Sequence, residues 1–318
     1  MEPVIAVDIG GTSTRIALVS GEGGILAKTT IPTPTTGHSP DILPETLIRE
    51  IPRFLNGCPA GAVAAVGISA AGPIDFKTGD IVNPPNLGFS RIPLVKPLET
   101  AFGIPVRAIN DCHAGMLGEA SWGAARGVDC ALYLTISTGI GGAYIEQGRM
   151  LLGKTGNSLE IGHFIVDTKY GLPCGCGHPG HWEAYASGKH IPQFFRQWRE
   201  HQGIPAPQFP ADLAEDIFAA ARAGDAMAGK FLEELGRINA RAMSDIVVAF
   251  DPALIVMDGS IALRNPDLLI PPVQQYADRF LPLPEIRVSP LDGLAPLFGA
   301  AVIARGYNTP FGSFSRFL

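Results

Sequence analysis

The chain has 318 residues, of which 46% are apolar and only 17% charged, with 38 glycines and 28 prolines. At roughly 100–200 residues per domain this predicts a globular chain of two domains, each with its own core. A net charge of −6 excludes a broad phosphate-backbone surface, so nucleic acid is not an expected partner. No stretch approaches the roughly 20 apolar residues of a membrane helix, and the opening Met1-Glu2-Pro3-Val4 lacks the basic head of a signal peptide. A cytoplasmic protein without membrane attachment is expected. The five cysteines, Cys58, Cys112, Cys130, Cys174 and Cys176, are odd in number and scattered, which is no disulfide framework.

In chain order, residues 4–9 read as a strand broken by Gly10-Gly11, with strands following at 15–19 and 25–31. Residues 32–40 form a Pro/Thr loop. Asp41 is the expected cap of a helix to about 55, whose apolar residues follow helical spacing. Residues 62–69 predict a strand buried on both faces, 72–89 a loop, 106–109 a strand and 112–121 a helix. Residues 130–138 then run into Gly139-Ile140-Gly141-Gly142 and out again as a strand over 143–146. That repeats the opening strand, glycine loop, strand pattern and suggests internal duplication. From 211 the pattern turns helical: 212–223, 225–250 capped by Asp225, and 267–280. Short strands are expected at 254–257 and 286–289, and a closing helix at 294–305. Alternating strands and helices give an α/β class.

Five segments carry chemistry. In Asp8-Ile9-Gly10-Gly11-Thr12 the glycines allow close backbone approach, the N–H groups can form an anion-binding concavity, and Asp8 is placed to hold Mg²⁺ beside a phosphate. A simple hairpin turn with a surface Asp is the plainer reading of this motif taken alone. Ser137-Thr138-Gly139-Ile140-Gly141-Gly142 is a second hydroxyl-plus-glycine turn, and two such loops together favour a polyphosphate. Asn110-Asp111 ends a strand just before a helix, where a carboxylate can accept a proton from an attacking hydroxyl or simply cap the helix. Glu160-Ile161-Gly162-His163 and Cys174-Gly175-Cys176-Gly177-His178-Pro179-Gly180-His181-Trp182-Glu183 supply a Cys₂His₂ set for structural zinc: His163, Cys174, Cys176 and His181, with His178 competing for the fourth place. Asp258-Gly259-Ser260 is a turn that can accept a purine or ribose.

These motifs resemble those of the ROK family (repressor, open reading frame, kinase) of sugar kinases, within the actin/hexokinase-like ATPases, over nearly the whole chain. The resemblance implies two ribonuclease-H-like α/β domains flanking an active-site cleft. One would span 1–118, with a C-terminal helix at 296–318 packing back on it; the other, larger and carrying the zinc knuckle, would span 119–295. It implies an ATP:hexose phosphotransferase of glucokinase type acting on a hexose hydroxyl, the 6-OH, with glucose favoured. N-acetylmannosamine or N-acetylglucosamine kinase is the alternative, and a non-catalytic sugar-sensing regulator the alternative of another class. No DNA-binding segment is expected before the strand that opens at Val4. Asp111 would be the general base. Asn110, Glu160, His163, Glu183, Gly72 and Asn86 would bind the sugar. Asp8, Gly10, Gly11, Thr12, Thr138, Gly139, Gly141 and Gly259 would bind the nucleotide with catalytic Mg²⁺. The family's Cys-x-Cys-Gly-x-x-Gly-Cys-x-Glu pattern is matched except that His181 stands at its third cysteine. A homodimer is the expected assembly.

Overall fold

Residues 4–9, Val-Ile-Ala-Val-Asp-Ile, alternate bulky and small side chains along a strand that is buried on both faces. In a computed structural model of the chain, Ile5, Val7 and Ile9 pack with Leu43, Leu47 and Leu98 on one side of the sheet. Val4 and Ala6 pack with Leu297, Ala300 and Ala301 on the other. The structure describes residues 2–34, 39–58, 63–83, 89–306, 308–309 and 312–313.

The elements are β1 (Val4–Ile9), β2 (Ser13–Val19), β3 (Ile25–Pro32), α1 (Ile42–Leu55), β4 (Val66–Ala70), β5 (Ile74–Asp75), β6 (Asp80–Val82), β7 (Arg91–Ile92), α2 (Val95–Phe102), β8 (Val106–Asn110) and α3 (Asp111–Trp122). They continue as β9 (Cys130–Ile136), β10 (Ile140–Glu146), β11 (Arg149–Met150), a 3₁₀ turn (Ile161–His163), α4 (Glu183–Ala186), α5 (Ile191–His201), α6 (Ala214–Arg222) and α7 (Ala226–Phe250). The last are β12 (Leu254–Asp258), α8 (Ser260–Arg264), α9 (Pro266–Tyr276), β13 (Glu285–Val288), α10 (Ala295–Ala304), β14 (Asn308–Thr309) and β15 (Gly312–Ser313).

One five-stranded sheet has the order β3-β2-β1-β4-β8, the other β11-β10-β9-β12-β13. In the first, β1 runs antiparallel to β2 and parallel to β4, and β4 parallel to β8. In the second, β12 runs parallel to both β9 and β13, and β10 antiparallel to β11. The two orders correspond strand for strand, the duplication that the paired glycine motifs suggest. This is the mixed α/β architecture of actin-like ATPases.

The chain divides into two compact units: Met1–Asp129 with Ala143–Ser158 and Leu294–Leu318, and Cys130–Gly142 with Leu159–Gly293. The expected boundary at 118/119 falls inside α3. The expected helix over 296–318 ends at Ala304, where Gly306 takes a left-handed φ of 67°.

Within the first unit, α10 lies so close to its neighbours that glycine is required. A Cβ on Gly67 would stand 1.8 Å from the Ala300 carbonyl oxygen, and one on Gly299 1.8 Å from that of Ala114. Within the second unit, α5 and α7 meet through aromatic rings, with Phe195 and Phe231 centroids 5.0 Å apart at 78°. The sequence reading did not place α5. Asp225 caps α7 as expected, accepting the N–H groups of Met227 and Ala228 at 2.9 Å each. Asp41, by contrast, makes no side-chain cap on α1.

Candidate active site

The first unit carries the strand-end residues. Asn110, buried, ends β8 in the Ncap position, and its Oδ1 accepts from Cys112 N at 2.9 Å and His113 N at 3.4 Å. The cap is therefore Asn110, and Asp111 is the first residue of the helix proper, half-buried, its Oδ1 accepting from Cys112 N at 2.9 Å. The helix N-terminus favours a negative charge there. The other arm of Asn110 reaches back, Nδ2 donating to the Gly72 carbonyl at 3.2 Å. Gly72 has a φ of 100°, a backbone conformation that favours glycine. Asn86 lies outside the described residues.

Asp8 is buried near the end of β1. Its register partners are Ser69 on β4 and Arg15 on β2. The Ser69 hydroxyl donates to Asp8 Oδ1 at 2.9 Å, and the Arg15 guanidinium lies 3.8 Å from Oδ2. Gly11 and Thr12, in the turn that follows, are exposed. Gly10 N donates to Ser13 O at 3.0 Å, and Thr33 fastens the turn from the end of β3. Its hydroxyl donates to Gly10 O at 2.8 Å, and its N–H donates to Thr12 O at 2.9 Å. Sequence reasoning missed Thr33 and Ser69, because both act through partners distant in the chain.

The second unit holds the other glycine loop. It is shorter than expected: β10 begins at Ile140, so only residues 137–139 lie between strands, and Gly141 and Gly142 belong to β10. Gly142 is small because a Cβ would stand 2.6 Å from Ile161 Cδ1, a packing need rather than a turn. Thr138 is exposed, and Ser137 Oγ lies 3.2 Å from Ser260 Oγ at the start of α8. Gly259 has a φ of 91°, and a Cβ there would meet Ile136 O at 2.5 Å. Asp258 beside it is buried and accepts from Tyr133 OH at 2.8 Å.

In the same unit His163, Cys174, Cys176 and His181 converge, with one donor atom from each lying within 4.8 Å of the others. The two Nδ1 atoms are 3.2 Å apart, Cys174 Sγ is 3.8 Å from His163 Nδ1, and Cys176 Sγ is 3.1 Å from His181 Nδ1. A tetrahedral ion with Zn–N near 2.05 Å and Zn–S near 2.3 Å requires edges of about 3.3 Å (N to N) and about 3.6 Å (N to S). Those three edges come within about half an ångström of these values, and the full set, spread over 4.8 Å, has the ligand types and number that structural zinc takes. His178 is not in the set; its carbonyl accepts from Cys174 N at 2.9 Å and closes the hairpin. Burial and the neighbouring His163 and His178 push the His181 pKa down from the usual histidine value.

Glu160 and Glu183 flank this cluster. Protein around Glu160 pushes its carboxyl above the usual range, and Glu183 adds to the push while His163 opposes it. The residue is open to solvent, which tempers the effect. Glu183 opens α4, and its Oε2 accepts from Ile140 N at 2.9 Å. Behind the knuckle, buried Tyr185 donates to Asp167 Oδ2 at 2.9 Å and accepts from Leu172 N at 3.0 Å, fixing α4 to the segment that leads into Cys174.

The profile of the ROK family matches residues 4–306. A glucokinase of Pyrobaculum calidifontis is 37% identical over 98% of this chain and 97% of its own length. An N-acetylmannosamine kinase of Escherichia fergusonii is 32% identical over 95% of this chain and 98% of its own length. A ROK family glucokinase from Streptomyces griseus, solved in complex with glucose and AMPPNP, superposes with a TM-score of 0.76 and 31% identity. That superposition covers 95% of this chain and 99% of the other. With a profile match over nearly its full length and relatives above 30% identity covered almost end to end, this chain belongs to the ROK family.

Proposed function

We propose that this protein transfers the γ-phosphoryl group of ATP to a hexose hydroxyl, the 6-OH, with glucose as the favoured acceptor. The observation that carries the reading is the near-complete superposition on a glucokinase holding glucose and AMPPNP. In this reading Asp111 accepts the proton of the attacking hydroxyl, as a positioned carboxylate does in phosphoryl transfer. Asn110, Glu160, His163, Glu183 and the Gly72 loop orient the sugar, carboxylates suiting it because each oxygen accepts from neighbouring hydroxyls. Asn86 belongs to the same proposal. Asp8, fixed by Ser69, holds Mg²⁺, which neutralises charge on the phosphates. Gly10, Gly11, Thr12, Thr138, Gly139, Gly141 and Gly259 line the nucleotide.

Zinc fits the Cys₂His₂ set described above. Its part is structural, since four protein ligands leave no open position. Bound there, it would fix the segments bearing Glu160 and Glu183.

The first test is a coupled ADP-release assay over glucose, fructose, mannose, N-acetylmannosamine and N-acetylglucosamine. The highest kcat/KM is expected for glucose, and absence of turnover with every sugar would overturn the reading. The N-acetylmannosamine kinase relative supports a second reading, in which that sugar gives the highest value. We further propose a cytoplasmic homodimer; light scattering at two chain masses is the expected result. Among the described residues no helix is long and apolar enough to cross a membrane.

A further inference from the structure

The hexose side and the phosphate loop of the second unit are fastened to one another at three points. Glu183 Oε2 accepts the Ile140 N–H at 2.9 Å. A Cβ on Gly139 would stand 2.6 Å from that same oxygen, so the loop backbone lies directly against the carboxylate. From the segment that bears Glu160 and His163, Gly162 presses on the other side of the same residue: a Cβ there would stand 2.3 Å from Ile140 O. At the far end of α4, Gly188 N donates to Ser137 O at 2.7 Å. Both polar groups of the Ile140 peptide position are thus in contact with segments that carry proposed sugar ligands.

The two oxygens of Glu183 are differently engaged. Oε2 is committed to the loop, and among the described residues Oε1 has no hydrogen bond. A hydroxyl donating into Oε1 fixes the carboxylate in the rotamer that also holds Ile140, and it draws negative charge away from the loop. Both effects ready a glycine-rich loop for an anion, the first by lowering the freedom still to be lost when phosphate binds.

We infer that Glu183 couples the two substrates, so that hexose on Oε1 tightens nucleotide at the 137–142 loop through the Ile140 amide. This rests on the reading of Glu183 as a hexose ligand and of the loop as a nucleotide ligand. By linkage the nucleotide tightens hexose by the same factor, and a coupling of this kind is about fivefold or more.

Calorimetry without turnover tests it. Mg-AMPPNP is titrated into the full chain with and without the hexose that the enzyme phosphorylates, and the hexose with and without Mg-AMPPNP. Equal tightening of about fivefold or more is expected in both orders. Glu183→Asp withdraws the carboxylate by one methylene from Ile140, and the factor is expected to fall below about twofold. Independently, hexose alone should slow hydrogen exchange at the Ile140 amide in the wild-type protein about fivefold or more. Unchanged AMPPNP affinity, undiminished coupling in Glu183→Asp, or an Ile140 amide indifferent to hexose would each overturn the inference. Should the Asp variant fail to fold, the wild-type amide decides. A protein that phosphorylates hexose yet shows no coupling sinks only this inference; one that phosphorylates none sinks the function reading beneath it.

Discussion

Asn110 bridges the helix it caps and the loop that bears Gly72, with Oδ1 on Cys112 N at 2.9 Å and Nδ2 on Gly72 O at 3.2 Å. Asn110→Asp keeps the cap acceptor and loses the donor. Loss of a cap altogether costs about 1 kcal/mol. Urea unfolding should show Asn110→Ala destabilised by about that amount and Asn110→Asp by less. Both should raise the glucose KM, because both release the Gly72 loop.

Asp111 follows the cap, and its Oδ1 accepts from Cys112 N at 2.9 Å. Asp111→Asn keeps size and helix position but removes basicity. A general base contributes about 10²–10⁴-fold, and kcat in the ADP-release assay should fall by that range. Glucose should still raise the melting temperature of the variant. Near-wild-type kcat would remove the assignment.

The Cys₂His₂ set predicts one zinc per chain by atomic absorption, retained in His178→Ala and lost in His181→Ala. Chelation should lower the melting temperature and raise the glucose KM at least about tenfold, the scale of losing a ligand's support. Added zinc should restore both.

His113, on the first turn of α3, is 1% exposed, and neither ring nitrogen makes a hydrogen bond of normal geometry among the described residues. Burial pushes its pKa down to about 4, with the Leu151 backbone a weak opposing influence. The unfolded chain takes up this proton near pH 6.5 and the folded one only near pH 4. Stability is therefore full above the upper value and is lost as pH falls through the window. The loss is at most roughly 3 kcal/mol. Urea midpoints of the wild type should fall between pH 7 and pH 4 more steeply than those of His113→Leu.

Much of this molecule is readable because glycine, proline and polar caps act locally. Asp225 and the Gly10-Gly11 turn are such cases, and both stand where the sequence puts them. Gly141-Gly142 misleads for a physical reason: both lie in β10, and Gly142 is demanded by Ile161, about twenty residues on, and not by a bend. The strands β5 to β7 are two or three residues long, and the Arg91 to Asp75 and Asp80 ion pairs that tie them together leave no periodic trace. Helix α5 is absent from the sequence reading although its signal is there: Ile191, Phe194, Phe195 and Trp198 recur at helical spacing, with Pro192 near the start. The donors of the knuckle show in the spacing of Cys and His, whereas the Glu183–Ile140 bond spans 43 residues and shows nowhere.

The seating of α10 against Gly67 and Ala114 has a consequence for synthesis. In a chain made from its amino end, residues 159–293 emerge before the helix that covers Val4, Ala6 and Ala17. The unit begun first is thus finished last, and its small-residue sheet face stays bare on the ribosome while the other unit can already close. A nascent chain halted before residue 294 should be cut by protease within its first 129 residues, and one released there should aggregate through that uncovered face.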